Sequence, residues 1–328
     1  MNRPIIAITM GDAAGVGPEV TIKTLQDETL YERCRPFCVA DSGVMASTIA
    51  MLGYKVGVRE IASLDDAEFL PGLLDVLRPP ELEPLQVERG RVSAALGRAS
   101  ALCIQEAFRL ASAGKVQGVT SAPMNKEAFH LAGYDYPDEM EYMADLTGCQ
   151  GAYSLGVMDR VWTVRIAEHV AFREIADLIT RESVLWYIEQ LDGILKRIGR
   201  PHPHLAVAAL NVHAGEGGIY GREEIDHIRP GIEDARARGI DAVGPVPADS
   251  VFVRALAGEF DGVVGMYHDQ VNIPRKLQPM GERATIFMGL PVPCGTTAHG
   301  TAFDIAGQGI ADPSGFRAAL VRTIDLAQ

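Results

Sequence analysis

Cysteine is scarce in this chain: five residues in 328 (Cys34, Cys38, Cys103, Cys149 and Cys294), odd in number and widely scattered. That excludes a disulfide-stapled secreted domain, and the Cys34–Cys38 spacing is neither a CxxC redox pair nor half of a zinc knuckle. Positive charge is also short, with 30 Lys and Arg against 43 Asp and Glu. The resulting charge of −13 argues against a general nucleic-acid or acidic-membrane surface, although one cleft can still gather cations for a small anion. No apolar run approaches membrane-spanning length, and the run after Met1-Asn2-Arg3-Pro4 is stopped at Asp12, too early for a signal peptide. The expected setting is cytoplasmic, with neither membrane nor nucleic acid as partner. Internal repeats, Pro/Gly/Ser-rich linkers, Walker loops and GxGxxG fingerprints are missing as well.

What is present is a large apolar fraction, 47%, in a chain long enough for two domains or one large one. Short β-branched runs at 36–40, 116–121, 152–158, 161–166, 204–212 and 262–267 alternate with helical patterns at 43–53, 91–113, 125–132, 182–198, 222–239 and 249–258. This alternation predicts an α/β fold with a largely parallel sheet. The run at 161–166 follows its predecessor across Asp159-Arg160, a hairpin spacing, so the sheet is expected to be mixed.

Three of the eight histidines, His169, His213 and His268, each follow a strand-like run. Ligands of α/β sheets collect at the carboxyl ends of strands, so these three can converge as metal ligands, with a position left for water or substrate. The competing reading is three unrelated loop histidines. Asp249 and Asp269 are candidates to orient the imidazoles or relay protons. Gly11-Asp12-Ala13-Ala14-Gly15-Val16-Gly17 offers backbone N–H groups to an anion at a helix start, or is simply a tight strand-to-helix turn. The loop at 299–312, with His299, Gly300, Thr301 and Asp304, suits an adenosine moiety; its plain alternative is a Gly-rich turn that ties down the C-terminus. Lys126 and Lys276 follow strand-like runs at Pro-containing turns and can bind a carboxylate or move a proton.

Taken in order along the chain, the 11–19 turn, 121–126, 211–218, Ala248-Asp249, His268-Asp269-Gln270, Lys276, Gly289-Leu290-Pro291 and 299–307 resemble 4-hydroxythreonine-4-phosphate dehydrogenase. The 299–312 stretch also resembles the cofactor loop of isopropylmalate and isocitrate dehydrogenases. The resemblance implies two α/β/α domains of the isopropylmalate dehydrogenase-like kind, expected at 1–130 plus 297–328 and at 131–296. It further implies a homodimer with the active site at the interface, where His169, His213 and His268 of both subunits hold a divalent metal (Zn, Co, Mg or Mn). NAD or NADP would oxidise a secondary alcohol beside a carboxylate, which then leaves as CO₂. The cofactor would lie on Gly11, Asp12, Gly15, Gly17, His299, Gly300, Thr301 and Asp304, with Lys126, Asp249 and Asp269 as catalytic groups.

The substrate positions depart from that family. Glu139 and Met140 stand where it has His and Thr, Thr285 where it has Asn, and Cys294 where it has Arg, whereas Lys276 is retained. Exchanging cationic for neutral or acidic groups disfavours a phosphorylated end group. The expected substrate is therefore another small hydroxy acid, such as a carboxylated dihydrodiol. The alternatives are the vitamin B6 enzyme itself and a non-catalytic ligand-binding paralogue.

Overall fold

A computed structural model describes residues 3–328. In chain order its strands are β1 Ile5–Thr9, β2 Arg35–Val39, β3 Gly57–Ile61, β4 Leu73–Leu77, β5 Gly118–Ser121, β6 Tyr153–Met158, β7 Val161–Ala167, β8 Leu205–Ala208, β9 Ala242–Val246, β10 Gly262–Tyr267, β11 Arg283–Met288 and β12 Cys294–Thr296. Two compact units emerge, one made of residues up to Tyr153 with Ala284–Gln328, the other of Ser154–Arg283. Residues 131–153 and 284–296, expected in the second unit, belong to the first. Tyr142 and Met143 of the helix Glu139–Thr147 are buried in the first core, as are Phe287 of β11 and Cys294 of β12.

In the first unit the strand order is β3-β4-β2-β1-β5-β12-β11, parallel except for the antiparallel β11–β12 pair. In the second it is β6-β7-β10-β8-β9, with β6 and β7 antiparallel across Asp159-Arg160 and the rest parallel. The buried strands read as continuous apolar runs because both faces of a parallel sheet are covered by helices. No helix among the described residues is long and apolar enough to cross a membrane.

The 11–17 turn is a packing device. All its residues are buried, and four of its N–H groups donate within the protein: Asp12 to Pro123 O at 2.9 Å, Ala14 to Asp12 Oδ1 at 2.8 Å, Gly15 to Asp12 O at 3.0 Å and Val16 to Thr301 O at 2.9 Å. Burial raises the Asp12 carboxyl to about 6, against the pull of the Ala14 N–H. Asp12 and Gly15 thus spend their N–H groups inside the protein, and Gly11 and Gly17 are buried beside them in a strand-to-helix connection. Gly15 has no side chain because Thr301 leaves no room for one: an added Cβ would lie 2.7 Å from its carbonyl oxygen and 2.8 Å from its Cβ. The helix Gly17–Thr24 then clamps the same C-terminal segment. Lys23 Nζ lies 2.8 Å from buried Glu19 and donates to the carbonyls of Gly309 and Ala311, while Glu19 also accepts the Ala311 N–H at 2.8 Å.

Gly15→Ala is expected to cost about 1–3 kcal/mol by overpacking against backbone. Gly300→Ala, where an added Cβ meets nothing within 4 Å, is the neutral control. Thermal unfolding of both variants checks the pair; equal melting points would show that the turn yields without strain.

Candidate functional site

The second unit places its histidines at one sheet edge. His169 follows β7, His268 follows β10 and His213 lies beyond β8, and β7, β10 and β8 are neighbouring parallel strands. The rings of His169 and His268 lie 5.8 Å apart, tilted by 43°. An imidazole centroid sits roughly 3 Å from a metal it ligates, so two ligands of one ion lie roughly 5–6 Å apart, and this pair fits. Both rings border a hollow of about 270 Å³ whose walls include Ala167, Val170, Tyr267 and Asp269. His268 Nδ1 lies 2.7 Å from Asp269 Oδ1; a proton shared there leaves Nε2 with a free lone pair. His213 does not close the set. Among the described residues no three His, Cys, Asp or Glu side chains stand close enough together to hold a metal ion.

Both loops carry backbone strain of the kind that gathers at functional sites. His169 has φ 51° and is preceded by Glu168, which forms an ion pair with buried Arg165 and accepts from Ser154 Oγ at 3.1 Å. His213, Ala214, Gly215, Glu216 and Gly217 all have φ between 43° and 76°, a left-handed run in which each non-glycine residue costs about 1–2 kcal/mol. Buried Glu224 holds this run, accepting the N–H groups of Leu210 (2.9 Å) and Asn211 (2.7 Å) and the Asn211 side-chain amide (2.9 Å). Gly215 suits its place beneath it, at φ 76° with an added Cβ 2.7 Å from Glu224 Oε2 and 3.2 Å from Gly221 O. Gln270 ties the His268 helix to the end of β8 by donating to Ala209 O at 2.8 Å. Sequence reasoning missed Glu224, whose Arg222-Glu223-Glu224 setting looks like a solvated helix start. Gln270 could have been found from its place beside His268-Asp269.

The remaining predicted residues are dispersed. Asp249 is exposed in the first turn of the helix Ala248–Leu256, and Lys276 is exposed at the end of His268–Lys276. In the first unit, exposed Lys126 donates to Pro137 O at 3.0 Å. Gly300 and Asp304 are exposed on the C-terminal loop, and half-buried His299 has a buried Nε2 with no hydrogen-bond partner, an arrangement that fits a ligand supplying one. Thr301 is buried, with its carbonyl spent on Val16.

Among the predicted substrate residues, Glu139 and Thr285 lie near each other along one strand-end row, through Thr296: Thr285 faces Thr296 in the β11–β12 register, and Thr296 Oγ1 donates to Glu139 Oε1 at 2.9 Å. Burial raises the Glu139 carboxyl to about 7, against the hydrogen bonds of Thr296 and Ser121. Half-buried Met140 packs on the apolar core, and Cys294 is fully buried with its thiol pushed far up by that burial, so that thiol is not presented to a ligand.

The family model described as pyridoxal phosphate biosynthetic protein PdxA matches residues 32–323. This chain belongs to the PdxA family. It is 39% identical over 324 residues to the D-threonate 4-phosphate dehydrogenase of Pectobacterium atrosepticum, covering 98% of this chain and 99% of that one. A crystal structure of a 4-hydroxythreonine-4-phosphate dehydrogenase from Burkholderia phymatum superimposes with TM-score 0.85 at 35% identity over 99% of both chains. A terephthalate 1,2-cis-dihydrodiol dehydrogenase from Burkholderia xenovorans is more distant, with TM-score 0.68 at 26% identity over 96% of this chain and 95% of that one. A β-decarboxylating dehydrogenase from Thermococcus kodakarensis, at 15% identity and TM-score 0.51 over 98% and 81% of the two chains, shares the fold. The PdxA chain described here is thus an oxidoreductase of the PdxA dehydrogenase type on an isopropylmalate dehydrogenase-like fold. The names of its two nearer relatives carry a phosphate.

Glu224→Gln is expected to destabilise the fold by about 1–3 kcal/mol and to speed amide exchange at Leu210 and Asn211. Hydrogen exchange read by mass spectrometry checks this; unchanged exchange would show that the left-handed run holds itself. For Glu139 the folded carboxyl titrates near 7 rather than at the usual 4.5, so the folded state binds the proton more tightly than the unfolded one. Its contribution to stability is full below pH 4.5 and lost as pH rises through 7. In Glu139→Gln, which stays neutral, the melting temperature should fall less than the native protein's between pH 5 and 8, as thermal scans across that range will show.

Proposed function

We propose that this chain is a metal-dependent, NAD(P)-linked dehydrogenase that oxidises the secondary alcohol of a small 3-hydroxy acid and releases the neighbouring carboxylate as CO₂. The observation that carries the reading is the His169–His268 pair, oriented by Asp269 at adjacent strand ends in a chain of a dehydrogenase family. A bound divalent ion supplies Lewis acidity at the hydroxyl, and the nicotinamide accepts the hydride. His169 and His268 would hold that ion, and Asp269 sets the face that His268 presents. Asp249, Asp269 and Lys126 are the groups proposed to take or return the hydroxyl proton. His299, Gly300 and Asp304 are the residues proposed to meet the cofactor.

The third ligand is proposed to be His213 of a second copy, in a homodimer with shared sites. This fits the unclosed histidine set within one chain. It also fits the apolar side chains exposed around the histidine loops, among them Phe172 (77%), Val212 (59%) and Ile219 (74%). D-threonate 4-phosphate and 4-hydroxythreonine 4-phosphate, named for the relatives, are the first substrates to try, and a carboxylated dihydrodiol is the next.

Mixing the inactive variants His169→Ala and His213→Ala through unfolding and refolding is the test. Random dimers with shared sites restore one intact site in each mixed pair, roughly a quarter of all sites. Reduced nicotinamide formation recovering to that level supports the reading, and no recovery places all three ligands in one subunit. Cofactor binding by calorimetry without turnover of any acid would favour a ligand-binding paralogue.

A further inference from the structure

Strands β10 and β8 run parallel and pair through Gly262, Val263 and Val264 against Leu205, Ala206 and Val207. Continued by two residues, that register sets Met266 opposite Ala209. A side chain comes between them instead. Met266 N–H donates to Gln270 Oε1 at 2.7 Å, and Gln270 Nε2 donates to Ala209 O at 2.8 Å. The amide stands where a further backbone rung would be, and it carries the one acceptor and one donor that a strand N–H facing a strand C=O requires. Two hydrogen bonds in series hold these strand ends wider apart than the single bond of about 2.9 Å that joins paired strands.

Both ends of this bridge are braced. Gln270 is buried, and it sits in the first turn of the helix His268–Lys276, whose start at Tyr267 has no side-chain cap. A side chain at the third helical position can reach back to the helix start; here it reaches Met266, one residue before the cap. The contact closes residues 266–270 into a ring with His268 at its centre. On the other side Ala209 is buried, and its N–H donates to Val246 O at 2.8 Å. The next two N–H groups, of Leu210 and Asn211, are the ones taken by Glu224. The amide thus registers His268 against a segment that is itself held on two sides.

We infer that Gln270 is a positioning residue for the metal: its amide is a spacer that keeps the carboxyl ends of β10 and β8 apart and so fixes where His268 stands beside His169. This rests on the metal-dependent reading above and adds to it the group that sets a ligand's place. Asp269 orients the His268 ring, and Gln270 places the backbone that carries it. Without the amide, the buried Met266 N–H and Ala209 C=O either pair directly and draw the strand ends together, or lose their partners. In both cases the constraint that holds His268 with its ring 5.8 Å from that of His169 is gone.

The probe is Co²⁺, whose visible absorption reports the geometry of its ligands. Its Kd by calorimetry and its absorption when bound are compared in the native protein, Gln270→Glu, Gln270→Met and Val271→Ala. Gln270→Glu keeps the acceptor for Met266 but turns an oxygen toward Ala209 O, whereas Gln270→Met keeps the length and loses both bonds. Val271, fully buried on the same helix, is the control for lost stability alone. Both Gln270 variants are expected to bind Co²⁺ about ten- to a hundredfold more weakly, the usual effect of removing a partner that holds a ligand, and to shift its absorption. Val271→Ala should melt at a lower temperature yet keep the native affinity and spectrum. Native affinity and spectrum in the Gln270 variants, or an equal loss in Val271→Ala, overturns the inference and leaves the metal reading standing. Native Co²⁺ affinity in His268→Ala, or no binding by the native protein, overturns both. If the buried charge of Gln270→Glu prevents folding, Gln270→Met decides.

Discussion

Parallel strand pairing is the constraint on which the chemistry of this protein depends. Strands running the same way in register end together, so the residue after each strand emerges at a common edge. In the second unit that edge carries the His169, His268 and His213 loops behind β7, β10 and β8. In the first it carries Thr9, Ser121 and Thr296, with Glu139 above them. Neither set is contiguous in the chain. Register alone assembles them.

The loops at these edges are expensive conformations held by buried polar groups. A left-handed run through His213 persists only if something removes the alternatives, and Glu224 does so by taking three donors of the preceding segment. The Arg165–Glu168 pair anchors the residue before His169 in a similar way. Buried charges of this sort contribute little net stability but penalise every other loop geometry, which suits residues that must hold one orientation. The C-terminal loop is fixed differently, by close backbone contact at Gly15 and by the Glu19–Lys23 clamp.

In the first unit, burial acts on a carboxyl at the sheet edge, that of Glu139. The chain has the fold of its family and brings the rings of His169 and His268 to 5.8 Å. Against the sheet edge, however, stands a carboxyl group whose burial brings its titration near neutrality. Its charge state is set by hydroxyl neighbours and dehydration together.

Much of this was legible in one dimension. Periodicity and spacing sufficed for the α/β alternation, the β6–β7 hairpin and the three strand-end histidines, because those signals are local. The short β3, β4, β9, β11 and β12 were not read, since strands of three to six residues with mixed polarity carry little periodic signal. Gly11–Gly17 and the C-terminal loop both suggested ligand contact, and only the packing showed that the first is buried and gives its Val16 N–H to Thr301 O of the second. The sequence by itself determined the fold class and the family, which depend on composition and order. The tertiary structure alone decided which residues meet: that Glu224 holds His213, that Cys294 is sealed in the core, and that Thr296 and Ser121 meet Glu139. Those facts follow from strand register and burial, which couple residues far apart in the chain and leave no mark on local sequence.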